Sequence, residues 1–126
     1  MSHQHDLINA AIFALLLSGC VHQSHVSRID RSGGVDTQQL VTRFGYPKCT
    51  VSVPLSKEES VESAELVGAP HIDEREDWAE LTSNMIPGDE LRHVWCNASR
   101  GPGGVDFLGV FRDKRLIREL HTVTVD

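Results

Sequence analysis

Cysteine and histidine offer the widest chemistry among the side chains of this sequence. Its 126 residues include three cysteines and seven histidines. Cys20 follows an apolar run, whereas Cys49 and Cys96 lie far apart in the rest of the chain. His93 precedes Cys96 by three positions. One such pair with one distant cysteine falls short of the four ligands of a structural zinc site. The spacing therefore predicts no metal centre and no cofactor.

Short catalytic motifs are missing from the sequence, which has no G-x-S-x-G, S-x-x-K or H-E-x-x-H. Acidic pairs such as Glu58-Glu59 lie in charge-rich stretches, where a solvated face is the usual arrangement. Twelve basic against 18 acidic side chains give a net charge of −6, which disfavours nucleic-acid binding. We therefore expect a protein that is not an enzyme and has no nucleic-acid partner.

The N-terminus has the pattern of an export signal. The run from Leu7 to Leu17 is apolar except for Asn9, and two small residues and Cys20 follow it. It is too short to cross a bilayer, which takes about 20 residues, and has the length of a signal-peptide core. The segment Leu17-Ser18-Gly19-Cys20 resembles the lipobox of bacterial lipoproteins. The first six residues depart from that pattern because they contain no Lys or Arg, and a buried N-terminal helix is the alternative.

The lipobox resemblance implies that residues 1–19 are a removed signal peptide and that Cys20 carries the lipid, palmitate among its acyl chains. Each buried methylene contributes about 0.8 kcal/mol, so several chains hold a protein to a membrane almost permanently. In the lipoproteins that this segment resembles, an aspartate directly after the lipidated cysteine favours the inner membrane. Val21 is at that position here, so the resemblance implies the periplasmic side of the outer membrane. Residues 20–35 are mostly polar without a sustained period, which predicts a flexible tether in the cell envelope.

Cys49 and Cys96 are the two thiols that remain once Cys20 is lipidated. An even number of cysteines in an exported domain favours a disulfide between them. Closing a loop of that size stabilises a fold by about 4 kcal/mol on the chain-entropy model. Two separately buried thiols are one alternative, and a zinc site that includes His93 is another.

The folded domain is expected to span residues 36–126, and three segments in it predict helices. Asp36 can cap a short helix, with Gln39 reaching back to the cap. Ser56 and Glu59 have capping-box spacing, which predicts a second helix, either packed or partly ordered on the surface. Asp73 to Met85 predicts a third helix, with acidic residues in the first turn and an apolar face.

Strand patterns dominate the C-terminal part. Cys49 to Val53 predicts a short strand, and Leu91 to Asn97, Val105 to Arg112 and Leu116 to Val125 are rich in strand-forming residues. The connections between the last three are short, which implies an antiparallel three-stranded meander. We expect an α+β fold in which two to three helices pack on one face of a small antiparallel sheet.

Two segments resemble the SmpA/OmlA family of outer-membrane lipoproteins, which accompany the β-barrel assembly machinery. One is the helix-then-G-x-P pattern from Thr37 to Pro47, and the other is the meander with Trp95 in its first strand. Residues 49–88 depart from the family, which moves to its first meander strand sooner. The resemblance implies helices on a three-stranded antiparallel sheet and a role beside an outer-membrane complex.

These features lead us to expect a membrane-anchored, protein-binding accessory or scaffold of an outer-membrane complex. The alternative is a lipid-anchored binder or inhibitor of a soluble periplasmic ligand or enzyme. Trp78, Trp95 and Arg100 are candidate partner contacts, because aromatic and arginine side chains dominate many protein interfaces. Core packing is the ordinary alternative for the two tryptophans.

Overall fold

The computed structural model describes residues 28–122. The predicted signal peptide, the predicted lipidation site Cys20, residues 21–27 and residues 123–126 lie outside this range. The helices are α1 (Thr37–Phe44), α2 (Lys57–Leu66), a 3₁₀ turn (Ile72–Glu74) and α3 (Glu76–Ser83), and the strands are β1 (Lys48–Val51), β2 (Glu90–Asn97), β3 (Gly104–Arg112) and β4 (Arg115–His121). Within the described range, no helix is long and apolar enough to cross a bilayer.

The four strands form one antiparallel sheet in the order β1-β2-β3-β4. Its last three strands are the predicted meander, so the α+β class is confirmed. The turn between β3 and β4 is two residues long, and both Asp113 (φ 50°) and Lys114 (φ 68°) have positive φ, as tight hairpin turns require. The short strand at Cys49 joins the meander by pairing with β2, which makes it a fourth strand.

The helices lie on both faces of the sheet, which corrects the expectation that they would cover one. Successive side chains of a strand point to opposite faces, and β3 is buried on both. Phe107 and Phe111 pack with Leu40 of α1. Leu108 and Val110 pack on the other face with α2, the 3₁₀ turn and α3. The apolar residues of β3 therefore form a continuous run rather than an alternating one.

Helix α1 begins at the predicted cap, where the Asp36 carboxylate accepts a hydrogen bond from the Gln39 backbone N–H at 3.1 Å. The Gln39 side chain does not reach back. Its amide nitrogen donates to the Leu116 carbonyl at 3.1 Å, and its amide oxygen accepts from the Leu116 N–H at 2.9 Å. Because β4 is an edge strand, its outer backbone groups lack a neighbouring strand, and Gln39 satisfies two of them.

Helix α2 has the predicted capping box in full. The Ser56 hydroxyl accepts from the Glu59 N–H, and the Glu59 carboxylate accepts from the Ser56 N–H, both at 3.0 Å. Ala64 is fully buried, and Ser60 and Ser63 are buried beside it. Of the two alternatives left open by the sequence, the structure therefore has the packed helix.

The predicted helix from Asp73 to Met85 is wrong in its continuity. The structure has the 3₁₀ turn, an extended Arg75 (φ −80°, ψ 144°) and then α3. The Arg75 guanidinium bonds the Asp77 carboxylate at 2.9 and 2.5 Å. The break allows both Ile72 and Trp78 to enter the same apolar cluster.

The described chain already packs against the sheet at Arg28, within the segment predicted as a tether. Ile29 forms an antiparallel bridge with Ser52. The Asp30 N–H donates to the Val51 carbonyl at 2.8 Å, and the Val53 N–H donates to the Arg28 carbonyl at 3.0 Å. Residues 28–30 of the predicted tether therefore lie against the edge of the sheet near the end of β1. Val35 packs against the apolar cluster that contains Leu40.

Candidate functional site

A chain of hydrogen bonds connects α2 to the sheet through Ser63, His93 and Asp106. The Ser63 hydroxyl bonds Nδ1 of His93, and Nε2 of His93 bonds Oδ1 of Asp106 at 2.6 Å. The Thr122 hydroxyl donates to the same Oδ1 at 2.6 Å and contacts the Asp106 carbonyl at 3.0 Å. A carboxylate only accepts hydrogen bonds, so Nε2 carries a hydrogen and the carboxylate is held from two sides.

The register of the sheet explains why these side chains meet. His93 is paired with Leu108, and Trp95 is paired with Asp106. Cross-strand partners point to the same face, and residues two apart in a strand share that face as well. His93 and Asp106 are therefore diagonal neighbours, and α2 lies over the same face with Ser63 turned inward.

Serine, histidine and aspartate are also the components of a hydrolytic triad, but their burial here is reversed. Ser63 is 4% exposed, whereas the Asp106 side chain is 25% exposed. A nucleophile must reach a substrate, and this hydroxyl lies under the helix. Of the hydrogen-bonded groups of Ser63, His93 and Asp106, the Asp106 carboxylate is the one exposed to solvent. This arrangement suits binding rather than covalent catalysis.

Asp106 faces a groove of about 910 Å³ at the end of the sheet where β2 ends and β3 begins. Trp95 is partly buried in the groove, and its ring stands edge-on to the His93 ring with 5.7 Å between centroids. Most of the groove wall is apolar, and the Asp106 side chain is the single carboxylate among its lining residues. Its lining residues are Tyr46, Val67, His93, Trp95, Asn97, Pro102, Gly103, Gly104, Val105 and Asp106.

The candidate partner contacts have different surroundings. Trp78 is 7% exposed and belongs to the apolar cluster under α2 and α3. It is therefore a core residue, which is the ordinary alternative expected for the two tryptophans rather than a partner contact. Trp95 lines the groove. Arg100 is exposed in the loop between β2 and β3, and Pro102 and Gly103 of the same loop line the groove.

Cys49 and Cys96 form a disulfide in the structure. They are directly opposite each other in the register of β1 and β2, which brings their side chains to the same face. His93 is occupied by Ser63 and Asp106. Within residues 28–122, no three His, Cys, Asp or Glu side chains are grouped so as to hold a metal ion.

A second polar network, on the opposite face, holds the N-terminal segment. Arg92 is 3% exposed, and its guanidinium bonds the Asp30 carboxylate at 2.5 Å and the Ser52 carbonyl at 3.1 Å. Hydrogen bonds from Ser32 and then from Arg92 lower the pKa of Asp30 to about 2. A Cβ on Gly34 would lie 2.8 Å from the Asp30 carboxylate, so a side chain there would force this ion pair to shift.

Comparison with known proteins finds no counterpart for this chain: no family model, no curated protein and no solved structure matches it.

Ser63, Asp106 and Thr122 were not predicted from the sequence, and His93 was considered there only as a zinc ligand. Two signals were available. Asp106 stands between the apolar Val105 and Phe107, and His93 precedes the apolar Val94 and Trp95. Ser60 and Ser63 fall on the face of α2 that carries Ala64, where a hydroxyl needs a hydrogen-bond partner when it is buried.

Proposed function

We propose that this protein is a non-enzymatic lipoprotein of the bacterial cell envelope that binds another envelope protein near the membrane. The observation that carries the proposal is Leu17-Ser18-Gly19-Cys20 after an apolar run of signal-peptide length. Lipid on Cys20 would anchor the domain, with the outer membrane as its expected location. In this role the protein is a scaffold or accessory of an outer-membrane complex.

The distance from the anchor supports a partner at the membrane. Contacts with the sheet are described from Arg28 onward, so at most residues 21–27 separate Cys20 from the packed part of the domain. Seven residues span at most about 25 Å when fully extended. A domain on so short a connection meets proteins in or on the same membrane far more often than soluble ones.

The burial of the Ser63 hydroxyl supports a binding role over a hydrolytic one. A groove of about 910 Å³ with one exposed carboxylate is the kind of concave surface that takes a side chain or a small molecule. The same groove favours the second candidate function, a lipid-anchored binder or inhibitor of a soluble periplasmic ligand or enzyme.

The first experiment tests the anchor. We expect Cys20→Ala to move the protein from the membrane fraction to the soluble fraction, because the variant has no thiol to acylate. Val21→Ala, beside it, should stay in the membrane fraction. Membrane partition of Cys20→Ala equal to that of the unaltered protein would contradict the proposal.

The second experiment tests the partner. Crosslinking in intact cells, followed by purification and mass spectrometry, should recover this protein attached to a membrane complex. Recovery of a soluble protein instead would favour the binder or inhibitor. Crosslinking should also decline in Cys20→Ala, since release from the membrane lowers the local concentration of the two proteins.

A further inference from the structure

We propose that the groove beside Trp95 and Asp106 binds an arginine side chain of the partner protein. This inference rests on the proposed function, in which the domain binds a protein at the membrane. The contact has a defined chemistry. The guanidinium group of the partner's arginine lies on the indole of Trp95 and donates hydrogen bonds to the carboxylate of Asp106.

Trp95 and Asp106 are suitably placed for one guanidinium. They are directly paired across β2 and β3, so their Cβ atoms are about 5 Å apart on the same face. Both line the groove. An arginine plane stacks on an aromatic face and bonds a carboxylate at its edge at the same time, which an ammonium group does less well.

The Asp106 carboxylate is fixed in position and still open to a ligand. Its Oδ1 accepts from both His93 and Thr122, and the side chain is 25% exposed. Two donors on one oxygen hold the carboxylate in a single orientation. A carboxylate held in this way loses little conformational freedom when a ligand binds.

The charge around the groove favours a cation. Asp106 is the one carboxylate in its lining. Val67, at the C-terminal end of α2, also lines it, and the last turn of α2 has no basic residue. The carbonyl end of a helix carries a partial negative charge. Between residues 57 and 80 the chain carries nine acidic side chains against Lys57 and Arg75, which attracts a basic partner over longer distances.

The walls of the groove suit the arginine stem. Tyr46, Val67, Pro102 and Val105 line it, and the aliphatic part of an arginine packs on such surfaces while its head stays polar. Arg100 is exposed in the adjoining loop and is not part of the lining. It opposes the bound cation, so its removal should strengthen binding.

The test uses the full-length lipidated protein in detergent micelles, labelled with ¹⁵N, and the peptide acetyl-Gly-Arg-Gly-amide. The chain has two tryptophans, and Trp95→Phe assigns their two indole N–H signals. We expect a saturable shift of the Trp95 signal with the Trp78 signal unmoved, since Trp78 is in the core. The same peptide with citrulline, an uncharged isostere of arginine, should bind at least tenfold more weakly.

Variants test the contact residues. Asp106→Asn should weaken peptide binding at least tenfold, whereas Asp113→Asn, in the turn at the far end of β3, should change it less than twofold. Arg100→Gln should strengthen binding two- to threefold. The Trp78 signal and the intact disulfide report whether each variant is folded. Trp95→Leu is the second variant should Asp106→Asn fail to fold. Because it has no Trp95 signal, its binding is followed by the backbone amide signals of Gly103 and Gly104, which also line the groove, and it should lose binding at least tenfold.

Several results would overturn the inference: an unmoved Trp95 signal, equal binding of the citrulline peptide, or full binding by Asp106→Asn or Trp95→Leu. Binding of a glutamate peptide that depends on Arg100 would overturn it too. Any of these, with in-cell crosslinking to a membrane complex intact, refutes the arginine contact and leaves the proposed function standing. Membrane retention of Cys20→Ala refutes the proposed function whatever the peptide does.

Discussion

At the scale of single residues, the carboxylates divide by their hydrogen-bond partners. The side chain of Asp89 is almost completely covered, and its two oxygens accept from the Arg112 guanidinium at 2.8 and 2.9 Å. Its second oxygen also accepts from the Ile86 N–H at 3.0 Å. The bonds from Arg112 and then from Ile86 lower the pKa of Asp89 to about 2. Asp106 differs from Asp89 in two ways. Its side-chain partners are a histidine and a threonine, both on one oxygen, and its side chain is 25% exposed.

We predict that Asp89 makes the stability of the domain depend on pH in acid. Its pKa is about 2 in the folded protein and 3.8 without these contacts, so the unfolded chain binds the proton more readily. The stabilisation is complete above about pH 4 and is lost as the pH falls through 2. Urea denaturation from pH 5 to pH 2 should show a falling midpoint.

Asp89→Asn is the variant for this test. It should be less stable than the unaltered protein at pH 7, because an amide offers the guanidinium one acceptor in place of two. Its midpoint should also fall less between pH 4 and pH 2. The exposed Glu74→Gln serves as the control with the same charge change, and an equal slope for Asp89→Asn and the unaltered protein would contradict the assignment.

At the scale of elements, β3 and β4 approach each other closely at Gly109. Gly109 lies in the middle of β3 and is paired with Glu119. A Cβ at this position would lie 2.6 Å from Cδ1 of Leu116 and 3.0 Å from the Phe111 ring. Leu116 and Phe111 belong to the same apolar cluster as Leu40, so the missing side chain of Gly109 makes room for the core between α1 and the sheet.

Gly109→Ala should therefore destabilise the domain by about 1–3 kcal/mol, the usual cost of adding a methyl group to a packed core. Chemical denaturation would measure the change. In the background of Leu116→Ala the same substitution should cost much less, because the atom it meets is gone. A cost that is equal in both backgrounds would show that the clash does not involve Leu116.

At the scale of the whole molecule, the disulfide joins the two parts of the chain that the helical segment separates. Cys49 lies before α2 and Cys96 lies after α3, at a sequence separation of 47. The bond fixes β1 at the edge of the meander. It also suits an oxidising compartment, as the proposed export requires.

Protein isolated from its native compartment should be lighter by two hydrogen masses before reduction than after it. The double variant Cys49→Ser/Cys96→Ser should lose up to about 4 kcal/mol of stability, measured by denaturation without reductant. Labelling of both cysteines by a thiol reagent in the native compartment would refute the pairing and count against export.

The features that the sequence determined by itself depend on neighbours along the chain. Asp36 caps α1, and Ser56 and Glu59 form the capping box of α2, because the interacting groups are three positions apart. Strand patterns gave the meander for the same reason. These local signals established the α+β class without any knowledge of the tertiary contacts.

Tertiary structure alone decided which face each helix covers and which side chains form the site. Ser63 is 30 positions from His93, and His93 is 13 from Asp106, so their meeting depends on strand register and helix placement. The break at Arg75 and the packing of residues 28–30 have the same origin. A shift of one residue in register would turn Asp106 to the opposite face, which is why no local pattern could reveal the groove.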